Sequence, residues 1–327
     1  MTLLITGSAG HLGEALMRTL RAAGRPARGL DIKPSPWTDH VGAITDRAFV
    51  ASCMRGVDAV IHAATLHKPH IVTHTDQDFI DTNITGTLVL LEAAVAAGIG
   101  AFVFTSTTSA FGAALTPAAG EPAAWITEAV APIPRNIYGT TKVAAESLCE
   151  LFARRHRLPV IVLRTSRFFP EEDDDPVRRA AHSMTNAQAN ELLHRRVDIA
   201  DAVGAHLRAL NRAAAIRFAR YIISAATPFT PGDCAELRRD AAAVVHRLYP
   251  DCAALYEAQG WSLFPQIDRV YDSRRARDEL GWRPAYDFAH VLASLRRGED
   301  VRSPLARAVG SKGYHGETYA EGPYPVA

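Results

Sequence analysis

The amino-terminal stretch limits the fold more than any other part of the chain. Residues Leu3 to Thr6 form a short apolar run, and Gly7-Ser8-Ala9-Gly10-His11-Leu12-Gly13 follows directly, leading into an amphipathic segment from Leu12 to Leu20. The order reads as strand, glycine-rich turn and helix. Gly7 permits the tight turn, Gly10 lets backbone approach a pyrophosphate, and Gly13 lets the helix sit close to the strand. The helix start offers N–H groups and a positive dipole end to phosphates. A second apolar run, Ala27 to Leu30, ends in Asp31, close to the distance at which an acid binds a ribose diol. These features imply a dinucleotide site. A carboxylate at 31 accepts both ribose hydroxyls of NAD and repels the 2′-phosphate of NADP, so NAD is the expected cofactor. Arg28 and Lys33 flank Asp31 and would soften that repulsion.

A second pattern supplies chemistry. Tyr138-Gly139-Thr140-Thr141-Lys142 places a phenol one helical turn from an ammonium, and the hydroxyl-rich run Thr105-Ser106-Thr107-Thr108-Ser109 lies upstream. A free phenol has a pKa of ~10 and is a poor base at neutral pH. Bringing it near 7 takes a shift of ~3 units, worth ~4 kcal/mol, which an ammonium and an oxidised nicotinamide close by in a dry site can supply. Tyr138 as acid/base, Lys142 as its tuner and Thr107 as the hydroxyl holding the substrate oxygen make an alcohol–ketone redox site.

Composition fits an enzyme of small molecules. The 327 residues suffice for one large domain or two smaller ones sharing a cleft. A formal net charge of +1 with scattered signs gives no field for nucleic acid or a membrane surface. No apolar stretch approaches ~18 residues and the chain begins in a strand, so neither a membrane span nor a signal peptide is expected. Cys53, Cys149, Cys234 and Cys252 are far apart and read as reduced thiols of a cytoplasmic protein. No metal is expected, because His62 ends a strand while His67, His70 and His74 follow in a loop containing Pro69. The acidic run Glu171-Glu172-Asp173-Asp174-Asp175 reads as a solvated loop or helix start.

Strands are expected near 2–6, 27–31, 58–62, 101–105, 159–164 and 219–224, with a short one at 41–44, and helices near 12–23, 47–55, 76–98, 137–156, 198–211, 231–247 and 286–296. This alternation predicts an α/β fold, a doubly wound parallel sheet of the Rossmann kind. Residues 1–165 with 196–225 should form the dinucleotide domain. Residues 166–195 with 226–327 should form a smaller, mostly carboxy-terminal substrate lobe, ending in an irregular arm over 303–327.

With these motifs in order, the chain resembles the extended short-chain dehydrogenase/reductases, the NAD-dependent epimerase/dehydratase family. Thr6 to Gly13 is similar to its glycine turn, His62-Ala63-Ala64 to its fourth-strand motif, and Asn83-Ile84-Thr85-Gly86-Thr87 to a helix carrying a structural asparagine. Phe102 to Gly112 resembles the segment with the catalytic hydroxyl, and Asp272 through Leu280-Gly281-Trp282-Arg283-Pro284 the carboxy-terminal signature. The resemblance implies a cofactor contacted by Gly7, Gly10, His11, Leu12, Gly13, Asp31, Ile32, Ile44, His62, Ala63, Ala64, His67, Asn83, Thr105, Tyr138, Lys142 and Thr165. It also implies a homodimer paired through the helices near 76–98 and 137–156.

Departures from the family pattern bear on the substrate. Arg167 stands where nucleotide-sugar epimerases have an asparagine, the connection to Val197 is short, and Glu191 falls where that group has a phosphate-binding arginine. A carboxylate there would repel a pyrophosphate, which speaks against a nucleotide-sugar. Arg167 either holds an anionic substrate group or pairs with the acidic run; Thr108 and Ser109 are the other expected substrate contacts. Thr108-Ser109 also occupies the place of a dehydratase's acid pair, so dehydration is not expected. The lead reading is oxidation of a secondary alcohol on a small polyol, sugar or hydroxy acid. The alternatives are an epimerase with transient oxidation and a non-catalytic dinucleotide sensor.

Overall fold

The computed structural model describes residues 1–171 and 175–313. Seven strands form one sheet in the order β3-β2-β1-β4-β5-β7-β8. They are β1 (Leu3–Thr6), β2 (Ala27–Asp31), β3 (His40–Val41), β4 (Ala59–His62), β5 (Ala101–Thr107), β7 (Val160–Thr165) and β8 (Phe218–Ile223), and every pairing is parallel. Because side chains alternate along a strand, neighbouring residues feed opposite faces. Leu3, Ile5, Ile61, Val103, Ile161 and Leu163 pack against the helices His11–Ala22 and Ile199–Ile216. Leu4, Val60, Phe102, Phe104, Val160 and Val162 pack on the other face, with the helices Gly86–Ala96 and Ile137–His156. Both faces are covered, which is why the central strands read as near-continuous apolar runs.

The helix Asp76–Ala96 contains a π-helical stretch, Ile80–Thr85, that carries Asn83. By length and composition alone it could cross a membrane. Here Phe79, Val89, Leu90, Leu91 and Ala94 are buried in the molecule's own interior.

A separate core, with Leu193, Phe229, Leu237, Val244, Tyr256, Ile267, Val270 and Phe288, defines the second lobe. Ala123 joins it, and β6 (Ala124–Ile126) pairs in parallel with β9 (Arg269–Tyr271). The lobe therefore recruits a segment from between β5 and the Tyr138 helix that the sequence division leaves in the first domain. The traffic also runs the other way. Ala276, Leu280, Trp282 and Val309 are buried in the first core, so the chain after Asp272 returns to the dinucleotide domain. The expected irregular arm begins with a helix, Pro304–Val309, capped by Ser303; residues 314–327 lie outside the described residues.

Candidate active site

A cleft of about 690 Å³ opens at the carboxy ends of the strands, where β1 lies between β2 and β4 and the strand order reverses. Its floor is the glycine turn. Gly7 has a φ of +74°, and a Cβ there would fall 2.7 Å from the backbone nitrogen of Ala64. A Cβ on Gly13 would fall 1.9 Å from Gly7 O. Both positions thus require glycine, one for its backbone conformation and both for close approach. Asp31 closes the far end. Its Oδ2 accepts from Ala9 N at 2.9 Å and its Oδ1 from Lys33 N at 2.9 Å, which fixes the carboxylate beside the turn. A cradle of bare backbone next to a fixed carboxylate suits a dinucleotide's phosphates and ribose. Arg28 takes no part, because it turns to the surface and donates to Arg55 O at 2.7 Å, whereas Lys33 lines the cleft.

Gly7, Gly10, His11, Leu12, Gly13, Asp31, Ile32, Ile44, Ala63, Ala64, His67, Thr105, Tyr138 and Thr165 all line this cleft. Three other residues expected at the cofactor sit behind its wall. His62 is buried, its Nδ1 2.7 Å from Thr6 Oγ1 and its Nε2 3.0 Å from Thr87 Oγ1, so it ties β1 to β4 and the helix above. Asn83 accepts from Thr65 Oγ1 at 2.8 Å and Leu66 N at 2.9 Å, and donates to Leu66 O and to Thr141 Oγ1. It pins the loop carrying His67 to the Tyr138 helix. Lys142 points under the cleft, donating from Nζ to Thr105 O at 2.6 Å, with its Nζ 4.1 Å from the centre of the Phe104 ring.

The reactive pair is Thr107 and Tyr138. Thr107 ends β5, its Oγ1 accepts from Ser109 N at 3.0 Å, and it lines the cleft together with Tyr138. Asn136 caps the helix that presents Tyr138, accepting from Gly139 N at 3.0 Å. Burial pushes the phenol up to about 12, with the neighbouring Thr107 hydroxyl pulling it down. Lys142, one helical turn on, directs its ammonium to the Thr105 carbonyl and is not among the groups that shift the phenol here. Burial holds Lys142 down to about 7, against Cys149 and Glu146, which favour its charge. Below the pair, the buried Glu146 accepts from Ser106 Oγ at 2.6 Å and pairs with Arg164 at 2.7 Å and Arg220 at 3.1 Å, locking β5 and β7 to the Tyr138 helix. His67 lies beside the phenol, ring centroids 5.9 Å apart, and burial holds it down to about 3, so it is a neutral imidazole.

On the substrate side, Thr108, Ser109 and Arg167 line the cleft as expected. Arg167 Nη2 donates to Glu171 O at 3.2 Å and its guanidinium lies 5.5 Å from the Phe169 ring centroid. Glu172, Asp173 and Asp174, in the other reading of Arg167, lie outside the described residues. Glu191 departs from expectation. Its side chain is 2% exposed and pairs with Arg195 at 2.6 Å and Arg196 at 2.7 Å. Against the effect of burial, Arg195, Arg196 and Arg167 hold the carboxyl well below the usual range. Its charge is compensated, so the expected repulsion of a pyrophosphate does not arise. Sequence reasoning also missed Arg195, Arg269 and Tyr271, which line the cleft from the second lobe. The last two lie just before Asp272, the start of the carboxy-terminal signature, and that adjacency was the available signal.

The cleft, its glycine turn and the Thr107–Tyr138 pair define an NAD-dependent enzyme of the short-chain dehydrogenase/reductase type. The chain belongs to the NAD dependent epimerase/dehydratase family, which it matches over residues 3–223. It is 30% identical to a dTDP-glucose 4,6-dehydratase of Streptomyces antibioticus over 90% of either chain. It is 32% identical to the uncharacterized protein y4nG of Sinorhizobium fredii over 50% of this chain, and spans 40% of that longer relative. Among solved structures it is similar to an NAD-bound short-chain dehydrogenase/reductase superfamily protein from Agrobacterium tumefaciens, at 25% identity and a TM-score of 0.65, covering 91% of this chain and 98% of that one.

Proposed function

We propose that the protein interconverts a secondary alcohol and a ketone on a compact, anionic sugar, polyol or hydroxy acid, using NAD. The carrying observation is that Thr107 and Tyr138 face one cleft that also presents Arg167, Arg195 and Arg269. Thr107 and Tyr138 would bracket the substrate oxygen, with the phenol giving its proton to a ketone or taking one from an alcohol. Proton transfer of this kind contributes ~10²–10⁴-fold. When bound, NAD supplies the hydride acceptor and, in its oxidised form, a positive charge that favours the phenolate. The neutral His67 is placed to accept or donate a hydrogen bond at a neighbouring substrate hydroxyl. Guanidinium groups suit a carboxylate or phosphate bidentately and fix which carbon faces the phenol.

Transient oxidation within an epimerisation is the second reading. It gains from the compensated Glu191, which removes one objection to a substrate carrying a diphosphate. Dehydration is not favoured, because Thr108 and Ser109 supply hydroxyls where an acid pair would be needed. Following NADH absorbance over a panel of sugars, sugar acids, sugar phosphates, polyols and hydroxy acids, with product NMR, separates the readings. Net NADH formation supports the dehydrogenase, and an inverted stereocentre without net NADH supports the epimerase. Turnover confined to uncharged substrates would sink the role given to the arginines.

A further inference from the structure

The end of the described chain comes back over the glycine turn. Val309 packs into the first core, and Gly310–Gly313 then crosses the start of the first helix, with Lys312 and Gly313 in the cleft wall beside Gly10, His11 and Leu12. Several contacts fasten it. Ser311 Oγ donates to Glu171 Oε1 at 2.8 Å, and Lys312 N lies 3.3 Å from the same oxygen and 3.1 Å from His11 Nε2. His11 Nε2 is itself 3.0 Å from Glu171 Oε1, and Lys312 Nζ pairs with Glu14. His11 Nε2 either donates to Glu171 or accepts from the Lys312 amide, and in either state that amide keeps an acceptor in reach.

The arrangement solves an electrostatic problem. The side chains of Glu14 and Glu171 are 6% and 8% exposed, beside the turn where a diphosphate binds. Bare carboxylates there would repel it across a low-dielectric gap. Lys312 and Arg18 compensate Glu14, while His11, Ser311 and the Lys312 amide converge on Glu171 Oε1.

We propose that Gly310–Gly313 is the roof of the cofactor's diphosphate pocket, fastened by Lys312 on Glu14 and by Glu171 on Ser311 and His11, and that this strap retains the dinucleotide between turnovers. It links the loop after β7 to the phosphate-binding turn, so cofactor release requires unfastening it. Release steps of this kind set the turnover of many enzymes. The inference depends on NAD use and is independent of which substrate is oxidised.

The test is stopped-flow release of NADH from the full-length protein, read by nucleotide fluorescence. Lys312→Met is expected to release NADH on the order of 10-fold faster, the size expected for losing one charge-assisted contact. Lys312→Arg should stay near the parent rate. The double variant Glu14→Gln/Lys312→Met, which removes the stranded charge as well, should still release fast because the strap remains unfastened. Thermal melts check that each variant is folded, and Glu171→Gln gives an independent fastening to weaken. Parent-like release by both Lys312→Met and Glu171→Gln overturns the proposal. So does a return to the parent rate in the double variant, which would reduce Lys312 to charge compensation alone.

Discussion

Lys142 offers a test in which one buried ammonium makes stability depend on pH in a worked direction. Its ammonium is buried and held from the ordinary 10.5 down to about 7, with desolvation as the main cause. A depressed folded-state value means that the unfolded chain binds this proton more tightly than the folded one. Above pH 10.5 the residue is neutral in both states and costs nothing. Between 10.5 and about 7 stability falls as pH falls, because the unfolded state takes up a proton that the folded state refuses. Below about 7 both are protonated and the loss is complete. At ~1.4 kcal/mol per unit, the full loss is about 5 kcal/mol, of which roughly 3 kcal/mol develops between pH 9 and pH 6. Lys142→Met abolishes this term and adds a pH-independent cost of ~1–3 kcal/mol for the Thr105 carbonyl left without its donor. The variant should therefore be close to the parent in stability at pH 9 and more stable at pH 6. The gap between the two melting temperatures should change by about 4 °C across that range. Calorimetric melts of both proteins at pH 6, 7.5 and 9 decide it, since other titrations are common to the pair. Melting temperatures that run parallel with pH would refute the reasoning.

Tyr138→Phe should keep NADH binding and lose turnover by ~10² or more, the usual cost of removing a proton-transfer group; a near-normal turnover number would remove the phenol from the mechanism. Asp31→Ala should weaken NAD and narrow its advantage over NADP, by loss of the diol contact and of the repulsion toward the 2′-phosphate; a parent protein that already prefers NADP in titration contradicts the reading of Asp31. We further propose a homodimer through the outer faces of Asp76–Ala96 and Ile137–His156, where Ile80 and Leu151 are exposed. Such a contact would bury more than ~1,000 Å² in total, and light scattering that finds a monomer at micromolar concentration would count against it.

The Rossmann half was readable because local rules and tertiary packing agree there. Each central strand is apolar on both sides and short, the helices turn apolar residues toward the sheet, and the glycines mark the turn between them. Strand positions fall within a residue or two of the observed ones, except that the short β3, expected over 41–44, ends at Val41. The second lobe was less readable. The run expected as one helix over 231–247 breaks into Pro231–Asp233, Cys234–Leu237 and Ala241–Leu248, and Asp240 caps the last by accepting from Ala243 N at 3.0 Å. Asp240 is a local cap signal inside an apolar periodicity, and its carboxylate supplies an acceptor for the N–H groups that a new helix start exposes. The strands β6 and β9 are three residues each and exist through mutual pairing, which no window of either sequence encodes.

Within the site, legibility divides by how a residue is held. Thr107 and Tyr138 are presented by a strand end and a helix start, so spacing alone brought them together. Lys142 shares that helix, yet its side chain goes elsewhere, because a buried ammonium must find an acceptor and the nearest is the Thr105 carbonyl at the end of β5. The same demand explains Glu191 and Glu14. Each is a carboxylate in a buried position, and in isolation each reads as negative charge aimed at the ligand. Each is compensated by arginine or lysine, from as near as Arg195 or as far along the chain as Lys312. A sequence shows where a charge is but not which partner reaches it through the fold. Inference from the sign of one residue is therefore weakest where burial makes compensation obligatory, and in this chain those positions are the ones that surround the cofactor's phosphates and the substrate.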